Sequence, residues 1–233
     1  NAVLTTNQAV ATLIDDDIKF VWEPVASPQP INTPIPFTLS ARYYDDTVAT
    51  NFNRTVTLSA SAGTIATNVI GTGQNTVSFP LYTLYEDQRT QVIYLASELG
   101  QAGHIVSLAL DCSSMPGRAM NNFTIRLKHT SLSSYPSSNP SWEGTGWTTV
   151  YQNNLQVSST GWVLFNLTTP FDFNGVDNLM VDFSFNNDAW TGTGSCRATT
   201  RGSTRTIYYQ SDSNDGDPLT WNGTSVYLYT STA

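Results

Sequence analysis

The 233-residue chain has little charge and few groups suited to chemistry. Only 12% of its residues are charged, with 10 Lys and Arg against 18 Asp and Glu, for a formal net charge of -8. Phosphate recognition needs clustered cations, so neither nucleic acid nor an anionic membrane surface is expected as a partner. No apolar run approaches the ~20 residues of a spanning helix, and membrane insertion is not expected either. The two histidines, His104 and His129, are too few and too far apart for a zinc site. His129 ends an alternating stretch and His104 lies beside a glycine turn, so both read as structural or solvated. There is no G-x-S-x-G nucleophile elbow. Glu86, Glu98 and Glu143 are available for paired-carboxylate chemistry, but nothing in the sequence sets two of them across a cleft. No catalytic residue is assigned, and the expectation is a non-enzyme.

What is present favours strands. Apolar residues make up 39% of the chain and aromatics 12%, with Ser, Thr and Asn filling much of the rest. Such a mixture suits pleated, half-buried surfaces. Phe37-Thr38-Leu39-Ser40-Ala41 and Val56-Thr57-Leu58-Ser59-Ala60 alternate apolar with polar residues, as strands with one buried face do. Pro24, Pro28, Pro30, Pro34 and Pro36 mark turns and edges between them. Short strands at this spacing from Ile18 to Phe79 predict a β-sandwich of immunoglobulin type. Pro80 marks the boundary. Beyond it, strands are expected at 89–95, 105–110, 123–128, 147–151, 161–167, 179–185, 206–209 and 226–229, with a single helical turn within 96–103. About eight strands with long loops suit a jelly-roll. The fold class is therefore all-β, with an Ig-like sandwich at 18–80 and a jelly-roll-like sandwich at 81–233. Residues 1–17 form an N-terminal extension whose apolar stretch Ala9-Val10-Ala11-Thr12-Leu13-Ile14 reads as a strand, ended by Asp15-Asp16-Asp17.

Three stretches carry resemblances. Residues 1–17 resemble the last strand of a Calx-β repeat, which implies a strand in need of a partner. The run Phe20-Val21-Trp22-Glu23-Pro24-Val25-Ala26-Ser27-Pro28-Gln29 resembles Ig-like repeats of large bacterial surface proteins. Gln91-Val92-Ile93-Tyr94, Met120-Asn121-Asn122-Phe123-Thr124-Ile125, Gly161-Trp162, Thr169-Pro170-Phe171 and Asn178-Leu179-Met180-Val181-Asp182 occur in an order similar to a jelly-roll-like module of secreted bacterial multidomain proteins, type IX-secreted ones included. That last resemblance implies an accessory extracellular module with no catalytic residues. The start at Asn1, without an initiator Met, reads as a mature or excised form.

Four groups of residues are candidates for sites. Cys112 and Cys196 are expected to form a disulfide within the second domain, the alternative being two buried thiols. Asp212, Asn214, Asp215 and Asp217 bring oxygen donors to a glycine-containing loop, which suits a structural calcium ion or a plain turn. Asp15, Asp16 and Asp17 offer a second such site. Trp142, Trp147, Trp190 and Tyr208 are candidates for a platform on which sugar rings stack, against the alternative of core packing. Trp162, between Gly161 and Val163 in a strand, reads as core. Arg197, Arg201 and Arg205 form a small basic stripe that would serve an acidic glycan or offset local acidity. Sequons begin at Asn53, Asn122, Asn166 and Asn222.

Two functions follow. The first is a non-catalytic bacterial surface protein, structural or adhesive, that assembles with other copies of itself by donating the strand carrying Val10, Leu13 and Ile14. The second is a carbohydrate-binding module of a secreted polysaccharide-degrading enzyme, with surface glycans as partners. Both place the chain outside the cell.

Overall fold

The computed structural model describes residues 3–5, 8–10, 18–23, 36–57, 66–212, 216–223 and 225–233. Of the described residues 48% are strand and 4% helix, which makes the chain all-β. It divides into two compact units, Asn1–Thr67 and Asn68–Ala233.

In the first unit, β1 (Val3–Thr5) pairs antiparallel with β2 (Gln8–Val10), and β3 (Ile18–Trp22) pairs antiparallel with β4 (Leu39–Tyr43). A turn follows β4. Asp45 accepts from the Thr47 amide at 3.0 Å and the Thr47 hydroxyl at 2.6 Å, and these bonds hold its carboxyl below the usual range. Phe20 and Phe52 meet edge to face at 5.4 Å. Among the described residues the unit has these two hairpins. Of the strand expected at Val56–Ala60, Val56 and Thr57 are not strand, and the rest lies outside the described residues.

The second unit is a sandwich. Its strands are β5 (Asn75–Val77), β6 (Asp87–Tyr94), β7 (Gly103–Ser114), β8 (Met120–Thr130), β9 (Thr148–Leu155), β10 (Gly161–Phe173), β11 (Asn178–Asn186), β12 (Ser195–Thr200), β13 (Thr206–Ser211), β14 (Tyr227–Tyr229) and β15 (Ser231–Thr232). One sheet has the order β14-β13-β6-β11-β8-β9, and the other β10-β7-β12-β15 with β5 also on β12. Apart from the β8–β9 hairpin, successive strands from β6 to β13 change sheets, as in double-sheet jelly-rolls. The expected helical turn is α1 (Ala96–Leu99), capped by Glu98 Oε2, which accepts from the Leu95 amide at 2.9 Å.

Alternation builds the core between the sheets. Phe123, Ile125 and Leu127 of β8, Phe165 and Leu167 of β10, and Val181, Phe183 and Phe185 of β11 all point inward. Each such side chain contributes about 1.5–3 kcal/mol by leaving water. Val77 and Phe79 belong to this same core, and Cys196, Arg197 and Ala198 of β12 pair with β5. Residues 76–79, expected to close the first domain, therefore belong to the second. Burial of two large apolar side chains outweighs the punctuation at Pro80.

Candidate functional site

The face of the six-stranded sheet that points away from the core holds three kinds of surface. Register places Tyr209, Arg89, Ser184, Thr124 and Gln152 in one row across β13, β6, β11, β8 and β9. The next row runs Ile207, Gln91, Asp182 and Arg126, and the one after it Ile93, Met180 and Lys128. Toward β13 the face is apolar: Ile93, Met180 and Ile207 pack with Tyr135 and Trp142 from the loop after β8. All eight residues of β6 are buried, because loops cover its outer face as the core covers its inner one.

The middle of the face is ionic and sealed. Arg89 is 1% exposed and Asp182 fully buried. The Arg89 guanidinium donates to Asp182 Oδ2 at 2.8 Å, and Arg126 donates to the same oxygen at 2.5 Å. Gln91 Nε2 donates to Asp182 Oδ2 at 3.1 Å and to the Glu143 carbonyl at 2.9 Å. Arg89 also donates to the Trp221 carbonyl at 2.7 Å, and the Trp142 ring lies 4.5 Å from its guanidinium carbon. One side chain thus ties both covering loops to the sheet. Lys128 pairs with Glu143 at 2.8 Å, and Arg126 and Lys128 both lie against the Trp147 ring. Burial, then the nearby Asp182 and Glu143 charges, pushes the Tyr135 hydroxyl well above its ordinary range.

The third part of the face is a pocket with a buried floor at Thr124 and Ser184 and an exposed rim at Asn122, Gln152 and Asp217. Asn122, Thr124, Gln152, Ser184, Phe185 and Asn186 from the sheet, with Asp217 and Leu219 from the loop before β14, line this pocket of about 210 Å³. Its walls are mostly amides and hydroxyls, with a single carboxylate. Asp217 Oδ1 accepts from the Leu219 amide at 2.9 Å, which caps the 3-10 turn Pro218–Thr220 and fixes that wall. The Gln152 and Asn186 side chains make no hydrogen bond to another described residue, which leaves both donors and acceptors for a ligand. Hydroxyl-rich solutes match such a lining, since each hydroxyl both donates and accepts.

Most of the residues singled out from sequence lie elsewhere. Trp142 is buried over Arg89, and Trp147 is half-buried and donates its indole N–H to the Glu143 carbonyl at 2.9 Å, so neither offers a free ring. Tyr208 faces the core, 5.0 Å from Phe79, and burial raises its hydroxyl to about 12. The expected four-ring platform is therefore not assembled. Of the four, Trp190 remains exposed, on a loop held by Thr83, whose single hydroxyl proton is shared between the Thr191 and Thr193 carbonyls, each 2.9 Å away. A Cβ on Gly194 would come within 1.8 Å of the Leu81 carbonyl, so the loop needs glycine there. Trp162, expected in the core, is 63% exposed, because Phe165 and Leu167 take the inward positions of β10.

Asp212 Oδ1 accepts from the Glu86 amide at 3.1 Å, whereas Asp217 serves as the cap. Asn214 and Asp215 lie outside the described residues, as do Asp15, Asp16 and Asp17. Among the described residues no three His, Cys, Asp or Glu side chains cluster as a metal site would require. Cys112 and Cys196 are free thiols rather than the expected disulfide, although they face one another across β7 and β12. Burial raises both, Cys196 well above the ordinary thiol range. Val10 lies in β2 opposite Val3, while Leu13 and Ile14 fall outside the described residues. Arg201 and Arg205 share Glu98, at 3.0 and 2.6 Å, and Arg197 pairs with Asp111 at 3.4 Å, so every arginine of the basic stripe has a carboxylate partner. His104 pairs with Asp172, and His129 Nε2 accepts from the Asn174 amide at 3.2 Å.

The pocket was not anticipated from sequence. Its signal was present in the polar positions Asn122, Thr124, Ser184 and Asn186, two apart on β8 and β11, facing away from the apolar set. No known protein family matches the chain, nor does any curated protein or solved structure.

Proposed function

We propose that the chain is a non-catalytic, extracellular adhesive module of a bacterial surface protein, and that it holds a neutral glycan in the amide-lined pocket. The observation that carries this reading is the lining: Asn122, Gln152 and Asn186 bring three side-chain amides, and Thr124 and Ser184 two hydroxyls, to one cavity with a single carboxylate. At about 210 Å³ it is smaller than the usual drug-sized site and suits one sugar ring. About a dozen ligand atoms at ~0.3 kcal/mol each give a Kd in the millimolar range, so useful adhesion would come from several copies acting together.

The carboxylates of this face support a binding role over catalysis, because Asp217 caps the 3-10 turn, Asp182 is held by two arginines and Glu143 by Lys128. Adhesion through the pocket is preferred over strand donation because β2 already has a partner in β1 of its own chain.

A glycan array followed by NMR titration of the hits tests the reading. Binding should appear for neutral sugars and disappear in Gln152→Ala combined with Asn186→Ala, with the melting temperature unchanged. An array without hits, or undiminished binding by the double variant, would refute it.

A further inference from the structure

We propose that the outer face of the five-stranded sheet is a second, flat glycan-contact surface centred on Trp162. It is separate from the pocket and takes the surface of an insoluble neutral polysaccharide. The face is fixed by alternation. Val163, Phe165 and Leu167 turn to the core side, so Trp162, Leu164 and Asn166 turn outward, and Trp162 and Leu164 are 63% and 61% exposed. Register then sets a row across four strands. Trp162 is opposite Asp111 on β7, Cys112 is opposite Cys196 on β12, and Arg197 next to it is opposite Thr76 on β5. Direct cross-strand partners share a face, so the indole, the carboxylate, the guanidinium and the hydroxyl form one line. Leu164 faces exposed Ala109 beside it.

The chemistry of this line fits a sugar chain. An indole face takes the C–H side of a pyranose ring, and the ring's equatorial hydroxyls reach sideways. Asp111 and Arg197 stand where those hydroxyls would fall, held together at 3.4 Å yet 25% and 41% exposed, so an acceptor and a fork of donors are oriented before binding. Their mutual neutralisation favours a neutral ligand.

The size of the platform argues against a second copy of the chain. At ~4.8 Å between strands and ~3.3 Å per residue, the patch from Thr76 to Trp162 and from Trp162 to Asn166 measures about 14 by 13 Å. That is well below the ~800 Å² per partner of a stable protein interface. An exposed patch of this size suits a planar array of sugar chains.

Depletion assays with microcrystalline cellulose and with chitin powder test the proposal. The wild-type protein should be retained by at least one powder. Trp162→Ala should lower its partition about tenfold, the size of effect that removal of a stacking ring produces, while keeping the wild-type melting temperature. Asp111→Asn should lower it less. Gln152→Ala/Asn186→Ala, which removes two of the pocket's three amides, should be retained like wild type. Lack of retention on both powders, or equal retention of Trp162→Ala, would overturn the platform. So would a concentration-dependent dimer that Trp162→Ala abolishes. Retention lost only in the pocket variant would also overturn it, yet would leave the pocket reading standing.

Discussion

The two outward faces of the larger unit are built from the same alternating strands and end in opposite conditions. On the six-stranded sheet, loops bring Trp142, Glu143 and Trp221 down onto Arg89, Gln91 and Asp182, so polar side chains are buried. On the five-stranded sheet nothing among the described residues covers Trp162 and Leu164, so apolar side chains are exposed. Residue type does not decide burial here; the covering loop does. The covered face should therefore carry stability and the open face should be nearly free of it.

The largest effect that separates the two faces is expected at Asp182. Asp182→Ala leaves Arg89 and Arg126 in a sealed site without their counter-charge, which costs about 3–5 kcal/mol. For a unit of this size that lowers the melting temperature by about 6–20 °C in a calorimetric scan. A drop of only a degree or two would mean that water reaches the pair. Replacing Arg89, Asp182 and Arg126 together by Met, Leu and Met removes the charges as well as the bonds and should regain most of the loss.

A second contrast lies between two tryptophans. Trp142→Ala removes a buried ring that roofs Arg89 and should cost about 3–5 kcal/mol by urea titration. Trp190→Ala removes an exposed ring and should stay within about 0.5 kcal/mol. Equal losses would erase the distinction between covered and open surface.

Much of the sandwich was legible in the sequence. Phe123-Thr124-Ile125-Arg126-Leu127-Lys128 reads as a strand with one buried face, and β8 contains it. The exposure of Trp162 was legible as well, since Val163, Phe165 and Leu167 set the inward phase, but the size of the ring drew it to the core. The burial of Arg89, Gln91 and Asp182 was not legible. It depends on loops that follow β8 and precede β14; Glu143 lies 52 residues from Gln91, which it covers. The pocket shares that origin, because Asp217 closes a wall whose floor comes from β8, β9 and β11. The domain boundary failed for a related reason: Val77 and Phe79 find their core through strands much later in the chain.

Alkaline pH probes the sealed groups together. Burial raises the Tyr94, Tyr135 and Tyr208 hydroxyls and the Cys112 and Cys196 thiols above the values they have in an unfolded chain. Above the unfolded values of 9.0 for the thiols and 10.0 for the hydroxyls, the unfolded chain loses protons that the folded chain keeps. The contribution of these groups should therefore be level below about pH 9, and stability should fall as pH rises toward 12. A melting temperature that stays constant from pH 8 to 11 would contradict this burial.

The smallest expected effect lies on the open face. Arg197→Gln breaks an ion pair with Asp111 whose side chains are 41% and 25% exposed. Water and salt screen such a pair, and holding two side chains in register offsets part of its attraction, so the loss should lie between about 0 and 1 kcal/mol. Trp162→Ala should change stability by no more than about 0.5 kcal/mol, because its ring leaves little buried contact behind. Both side chains flank Asp111, so their effects can couple, but each loss is small and the double variant should still melt within a few degrees of wild type. A large loss in the double variant would show that the open face is covered after all, and would remove the contrast on which the two surfaces are distinguished.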